Sequence, residues 1–73
     1  MSRYFFHFTD GKRTFTDGIG LELPGLAAAR TEAREQVREM RNCMSAEVED
    51  WAPWKIFVAN IWGKTIFEIG FGL

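Results

Sequence analysis

Residues 26–44, LAAARTEAREQVREMRNCM, are the longest periodic stretch in this 73-residue chain, and they decide its fold. Apolar side chains recur there at steps of three and four, which places them on one side of a helix with about 3.6 residues per turn. These residues are Leu26, Ala29, Ala33, Val37, Met40 and Met44. Charged and polar residues occupy the other side. The stretch therefore predicts one amphipathic helix that begins after an N-cap at Gly25.

Strand and turn signals precede this helix. Residues 3–8 are rich in aromatic side chains and end at a turn of the Asp-Gly type, which predicts a strand. Its core face is the one without Arg3 and His7, and it consists of Tyr4, Phe6 and Phe8. Residues 13–16 predict a short second strand. Residues 21–23 are expected to run extended, because the proline that follows them disfavours helical backbone at the preceding residue.

A hairpin is predicted after the helix, with strands over residues 54–61 and 65–71. Alternation assigns one set of side chains to the core: Trp54, Ile56, Val58, Phe67, Ile69 and Phe71. The sequence as a whole predicts an α+β fold in the order ββαββ, with one long helix packed on a mainly antiparallel four-stranded sheet. We expect a single domain over residues 1–73, because the chain is too short for two cores.

The outer face of the predicted hairpin is also largely apolar, because Phe57, Ala59 and Ile61 point away from the core in this register. A helix of this length spans about 28 Å and a six-residue strand about 20 Å, so the end of the helix is expected to overhang the sheet. Exposed apolar surface of this kind marks interfaces. The predicted interface, of a homodimer or with another protein, consists of Phe57, Ile61, Trp62, Met40 and Met44.

The arginines of the helix offer an alternative. Four of them follow one another at steps of four, four and three: Arg30, Arg34, Arg38 and Arg41. Such a stripe can track the phosphates of a nucleic acid. Glu35 and Glu39 flank the stripe, and the net charge of the chain is −1, so a solvated face of mixed charge explains it as well. We therefore rank nucleic-acid binding behind self-association.

The residues with catalytic or metal-binding potential are few. Cys43 is predicted at the end of the helix, where the helix dipole disfavours a thiolate, and His7 is the only histidine. One cysteine cannot form an intrachain disulfide, and one cysteine with one histidine cannot complete a structural zinc site. Asp10 and Asp17 stand beside glycines, where turn chemistry accounts for them. We expect no enzymatic activity, no metal and no cofactor.

Localisation is predicted from the same composition. The lone cysteine favours a reducing compartment. The start of the chain lacks the apolar run of a signal peptide, and the longest uncharged stretch near the end, residues 56–63, is far shorter than a bilayer requires. We therefore expect a cytoplasmic protein that does not associate with membranes.

Two motifs occur in a fixed order along nearly the whole chain. Residues 3–7 read Arg-Tyr-Phe-Phe-His, and residues 22–24 read Glu-Leu-Pro before an alanine- and arginine-rich helix. In this order the chain resembles a family of small bacterial proteins known as a domain of unknown function, which starts with Arg-Tyr-(Phe/Tyr)-Phe-His and begins its helix with Glu-Leu-Pro-Asp-Leu. The resemblance implies a compact hairpin, helix, hairpin domain and no particular activity.

The chain departs from the family pattern at several positions. Gly25 stands where the family usually has an aspartate N-cap, which predicts a weaker helix start. Phe57 and Ala59 replace residues that tend to be polar, and residues 60–63 replace a polar turn. These last changes increase the expected apolar surface and favour association of this particular chain.

Overall fold

The structure is a computed structural model and describes residues 1–72. The described residues form, in chain order, β1 (Ser2–Thr9), β2 (Thr14–Phe15), β3 (Leu21–Leu23), α1 (Leu26–Cys43), β4 (Lys55–Ala59) and β5 (Thr65–Gly70). The predicted α+β class is confirmed, with one helix and an antiparallel sheet. The predicted order ββαββ needs one correction, because residues 21–23 form a fifth strand.

The strands pair in the spatial order β2-β1-β4-β5, and every pair is antiparallel. β3 also pairs with β1, with Tyr4 opposite Leu21. β2 pairs with the far end of β1, with Phe8 opposite Phe15, and is shorter than the predicted strand over residues 13–16. The role of β3 was not evident from the sequence, because an extended segment becomes a strand only through a partner that is distant in the chain.

β2 and β3 together act as one interrupted strand along the same edge of β1. Five residues, 16–20, separate them, whereas only three residues of β1 separate the positions with which they pair. The extra residues bulge outward, and a side chain takes the place of the missing backbone partner: Oδ2 of Asp17 accepts the N–H of Phe6 at 3.1 Å. This edge of β1 is therefore satisfied in turn by β3, Asp17 and β2.

Helix α1 packs on one face of the sheet, over β4 and β3. Ala29 and Ala33 are the fully buried residues of the helix, because a methyl side chain lets two backbones approach closely. The sheet side of the core consists mainly of Tyr4, Phe6, Ile56, Val58 and Phe71. Phe8 packs partly buried against the same cluster, so the predicted core face of β1 is confirmed.

The helix ends close to its predicted limit, with Cys43 as the last helical residue and Met44 as the C-cap. The N–H of Met44 donates to the carbonyl of Met40 at 2.9 Å. The predicted overhang is wrong for Met40, whose partly buried side chain packs against the core alongside Val37. The long, flexible side chain of a methionine can fold back onto the sheet. The apolar side of the helix therefore contacts the sheet for one more turn than the lengths of helix and strand suggest.

The hairpin of β4 and β5 confirms the predicted core side chains and corrects the outer face. β4 ends at Ala59, two residues before the predicted limit, because the next residue forms a turn. Ala59 is only 3% exposed, although it was predicted to face solvent. A register shift occurs between Val58 and Ala59 where β4 pairs with β5. Phe57 is half-buried, with its ring centroid 5.2 Å from that of His7.

Candidate functional site

An exposed apolar patch lies around the turn between β4 and β5. Trp62 and Met1 are each 82% exposed, Ile61 is 60% exposed and Ile66 is 37% exposed. We call these four residues the Trp62 patch. They line a cavity of about 370 Å³ together with Ser2, Arg3, Tyr4 and Asn60. The patch therefore combines a projecting indole with a concave apolar surface beside it.

The pairing of the sheet creates this cavity. β1 pairs with β4 only from Phe5 onward, where Phe5 lies opposite Ala59. The first residues of β1 pair with β3 on the opposite edge, so among the described residues their other edge carries no strand. The turn over residues 60–64 lies beside this unoccupied edge. The cavity is thus a notch left where β4 is shorter than β1.

Local hydrogen bonds hold Trp62 in a defined turn. The side-chain Oδ1 of Asn60 accepts the backbone N–H groups of Trp62 and Lys64, each at 3.0 Å. The backbone N–H of Asn60 also donates to the carbonyl of Lys64. Gly63 has a φ of 80°, a left-handed conformation that a residue without a Cβ adopts at little cost. The turn that carries the indole is therefore compact, because its later residues are hydrogen-bonded to Asn60, the residue at its start.

The structure brings two of the predicted interface residues together. Ile61 and Trp62 are neighbours in the Trp62 patch, and both are exposed as the prediction requires. Sequence reasoning missed Met1 and Ile66, the other two members. Ile66 precedes the core residue Phe67, so alternation places it on the outer face of the hairpin and could have identified it.

The other three predicted interface residues lie elsewhere. Phe57 is half-buried on the sheet face that is turned away from the helix. Met40 lies between the helix and the sheet, and Met44 is half-buried at the helix C-cap. None of the three lines the cavity beside Trp62.

The arginine stripe of the helix faces the β5 side of the sheet. The guanidinium of Arg30 lies 5.3 Å from the ring centroid of Phe67 in β5. Nη1 of Arg41 donates to the carbonyl of Phe71 at 3.0 Å. The first and last arginines of the stripe therefore contact Phe67 in β5 and Phe71 just after β5.

Three of these arginines share a groove. A cavity of about 400 Å³ is lined by Arg34, Val37, Arg38, Arg41, Asn42, Ser45 and Trp51. Arg38 forms an ion pair with Glu35, one turn earlier in the helix. Glu49 and Asp50 line an adjoining cavity next to Arg41. The groove is thus basic along the helix and meets acidic residues at one end.

Asp17 and His7 form a second polar arrangement that sequence reasoning assigned to a simple turn. The backbone N–H of Asp17 donates to Nδ1 of His7 at 2.9 Å, so the ring proton of the neutral imidazole sits on Nε2. Partial burial would raise the pKa of Asp17, but the N–H groups of Gly20, Ile19 and Phe6 together outweigh it and lower the pKa below 3.8. The sequence did not indicate the hydrogen bond that the Asp17 carboxylate accepts from the backbone N–H of Phe6 in β1.

The structure separates the two residues considered for nucleophilic chemistry. Cys43 is exposed on the last helical turn, whereas His7 lies on the sheet face turned away from the helix. Among residues 1–72, no group of three or more His, Cys, Asp or Glu side chains lies close enough to hold a metal ion. No helix in that part of the chain has the length and apolar character to cross a membrane.

These features define a small α+β domain with one helix on an antiparallel sheet, an apolar patch at one end and a basic flank along the helix. Residues 3–72 match the family described as Domain of unknown function (DUF6894), and the chain belongs to this family. The resemblance indicated by the sequence is confirmed at this level. No curated protein and no solved structure matches the chain.

Proposed function

We propose that the protein is a small cytoplasmic interaction module, without catalytic activity, that forms a homodimer through the Trp62 patch. One observation carries this proposal: an 82% exposed indole stands beside a cavity large enough to receive an aromatic side chain. In a dimer with twofold symmetry the same patch meets itself. The indole of each chain would then enter the cavity of the other.

The energetics of the patch support this arrangement. Burying an indole removes about 150–250 Å² from water, which contributes on the order of 4–6 kcal/mol before the entropic cost of association. Tryptophan is also among the residues that are enriched at the positions that dominate binding at interfaces. A chain of 73 residues is near the size at which one core is barely sufficient, so association would add to its stability.

The charges near the patch do not oppose self-contact. Arg3 is the one charged side chain that lines the cavity, and its guanidinium already donates to Glu22 at 3.1 Å and to the carbonyl of Ile19 at 2.8 Å. Two copies that meet here would therefore bury no unpaired charged side chain from the cavity lining, and burial of such a side chain is the usual penalty of a wrongly chosen interface.

Sedimentation equilibrium at high micromolar protein concentration tests the proposal. We expect the wild-type chain to be a dimer and Trp62→Asp to be a monomer, because a carboxylate in place of the indole would have to be buried in the partner's apolar cavity. Ile19→Asp is the matched control: Ile19 is 80% exposed but lies outside the patch, so this variant should dimerise like the wild type.

Circular dichroism of both variants verifies that they are folded. A monomeric wild-type chain at these concentrations would refute the proposal, and so would a Trp62→Asp variant that dimerises with unchanged affinity.

Nucleic-acid binding through the arginine stripe is the second candidate. The observation in its favour is that Arg34, Arg38 and Arg41 line one groove. Binding of a labelled oligonucleotide should weaken steeply as salt increases and should be reduced in Arg34→Glu. Absence of binding at low salt would rule this candidate out. The two candidates are separable, because the stripe and the Trp62 patch share no residue.

A further inference from the structure

β5 has an edge that no other strand occupies among residues 1–72. It is last in the strand order and pairs only with β4. The N–H of Phe71 donates to the carbonyl of Trp54 at 2.9 Å, so the backbone of Phe71 points toward β4. Backbone groups of successive residues point to alternate edges of a strand. Those of Glu68 and Gly70 therefore point outward, away from the sheet.

This edge carries few of the features that usually protect a sheet from adding a strand. β5 is six residues long and contains no proline. Its one charged residue, Glu68, is already paired with Lys55 at 3.1 Å on the sheet face turned away from the helix. Edge strands in soluble proteins are normally shortened, covered or given unpaired charges. The register shift near Ile66 disturbs only the beginning of β5.

The arginine stripe runs alongside this edge. Arg30 lies over Phe67, and Arg41 is bonded to the carbonyl of Phe71. Eleven helical residues advance about 16 Å and four strand residues about 13 Å, so the stripe and the end of β5 extend together over a similar length. The helix itself packs over β4 and β3. The arginines therefore project from the helix toward the edge of the sheet.

The two flanks of the helix carry opposite charge. At about 100° per residue, Glu32 and Glu39 project roughly 140–160° away from Arg34, on the opposite flank. Glu35 is the acidic residue of the helix nearest to the stripe, and its charge is paired with Arg38. Glu49 and Asp50 lie only at the Arg41 end of the stripe. The net charge of −1 thus hides a local excess of positive charge beside β5.

We propose that the free edge of β5 and the arginine stripe together bind an extended acidic peptide segment. The segment would add to the sheet as a strand and pair with the outward backbone groups of Glu68 and Gly70. Its side chains would alternate between the two sheet faces, so acidic residues at every second position would face the stripe. Backbone pairing supplies part of the affinity, and the arginines select for charge.

An acidic peptide fits this surface better than a second copy of the chain or a nucleic acid does. A second copy of the chain that paired through its own β5 would bring one arginine stripe against another, and the like charges would repel. A nucleic acid could contact the stripe, but its backbone cannot form the alternating N–H and carbonyl pairs that a strand edge offers. Ile66 at the beginning of β5 belongs to the Trp62 patch, but Glu68, Gly70 and the arginine stripe do not, so this proposal does not depend on the homodimer.

A synthetic peptide of alternating Glu and Val residues, blocked at both ends, is the probe. Titration of the full chain at low salt, followed by the anisotropy of a labelled peptide, should show saturable binding that weakens as salt increases. The corresponding Lys-Val peptide should not bind. Arg34→Glu should weaken binding by about tenfold or more. Lys12→Glu is the matched control and should bind normally, because Lys12 is exposed at the β1–β2 turn, away from the stripe.

Two further forms of the peptide test the strand geometry. One is N-methylated on its Val residues and the other on its Glu residues, so each blocks one edge of the peptide. Strand addition predicts that one form binds and the other does not, because only one edge pairs with β5. Equal binding of both forms would overturn the proposal. So would absence of Glu-Val binding at low salt, equal binding of the Lys-Val peptide, or displacement of the peptide by an oligonucleotide at much lower concentration, which would assign the stripe to nucleic acid.

Discussion

Asp17 holds the edge of the sheet together at the gap between β2 and β3. Its carboxylate accepts three backbone N–H groups, from Phe6, Ile19 and Gly20, at 2.9–3.1 Å. Asp17→Asn keeps the size of the side chain but leaves one acceptor oxygen, so at least one N–H loses its partner. We expect the free energy of unfolding, measured with urea, to fall by about 1–3 kcal/mol.

Glu49→Gln is the control for this prediction. Glu49 is exposed and accepts no hydrogen bond within residues 1–72. The same loss in both variants would show that the change in net charge, and not the bond to β1, is responsible.

The pH dependence of the free energy of unfolding should reflect the ionisation of the same carboxylate. Partial burial raises the pKa of Asp17, but the N–H groups of Gly20, Ile19 and Phe6 outweigh it and lower the pKa below 3.8, the ordinary value of an aspartate. The ionised form is therefore favoured by folding. Its contribution is present above the unfolded pKa and is lost as the pH falls through the lower folded pKa. We expect urea unfolding curves of wild type and Asp17→Asn to differ most near neutral pH and to converge below pH 3.8. A constant difference down to the lowest pH would contradict this origin.

Gly20 is a glycine whose replacement should be costly. Its φ is 77°, and an added Cβ would lie 2.9 Å from the ring of Phe5 and from Cγ of Arg3. Both the left-handed backbone and the contact with a ring therefore exclude a side chain. We expect Gly20→Ala to lower the free energy of unfolding by about 2 kcal/mol, measured with urea. Gly18→Ala is the matched control, because nothing lies within 4 Å of its Cβ position. Equal stability of the two variants would be incompatible with this explanation.

At the level of secondary structure, the features that could be predicted are those that depend on residues close together in the sequence. The end of the helix was predicted to within one residue, because apolar side chains recur at helical spacing over the whole stretch. The hairpin core was predicted because alternation is local. β3 was not predicted, since its strand character comes from pairing with β1. The register shift between Val58 and Ala59 was not predicted either, since it is set by pairing across strands.

The start of α1 has a correctable weakness. Gly25 caps the helix with an extended backbone and no side-chain hydrogen bond, and the first turn contains no acidic residue. A Cβ at Gly25 would meet nothing within 4 Å. Gly25→Asp should therefore add a carboxylate that accepts an N–H of the first turn and interacts favourably with the helix dipole. We expect the free energy of unfolding in urea to rise by about 0.5–1 kcal/mol. Gly25→Ala supplies no acceptor, so an equal gain in that variant would contradict the capping mechanism.

At the scale of the whole molecule, the candidate surfaces were predictable only in part. Ile61 was identified because alternation along the predicted strand pointed it away from the core, and Trp62 because it fell in the turn after that strand. The notch beside them depends on the unequal lengths of β1 and β4, which no local pattern shows. The arginine stripe was evident from its spacing, but its position beside an open strand edge follows from a strand order that the sequence does not specify.

The thermal stability of the whole molecule should depend on protein concentration. If two copies unfold together, mass action makes each tenfold rise in concentration worth about 1.4 kcal/mol per dimer. For a cooperative unit of two such chains, this raises Tm by about 3–6 °C. Scanning calorimetry of the wild type over a hundredfold range of concentration should show this rise. Trp62→Asp should melt at a lower temperature that does not depend on concentration, whereas Ile19→Asp should follow the wild type. A wild-type Tm that is independent of concentration would mean that the small core is sufficient alone, and that the exposed indole beside its cavity serves a partner other than a second copy.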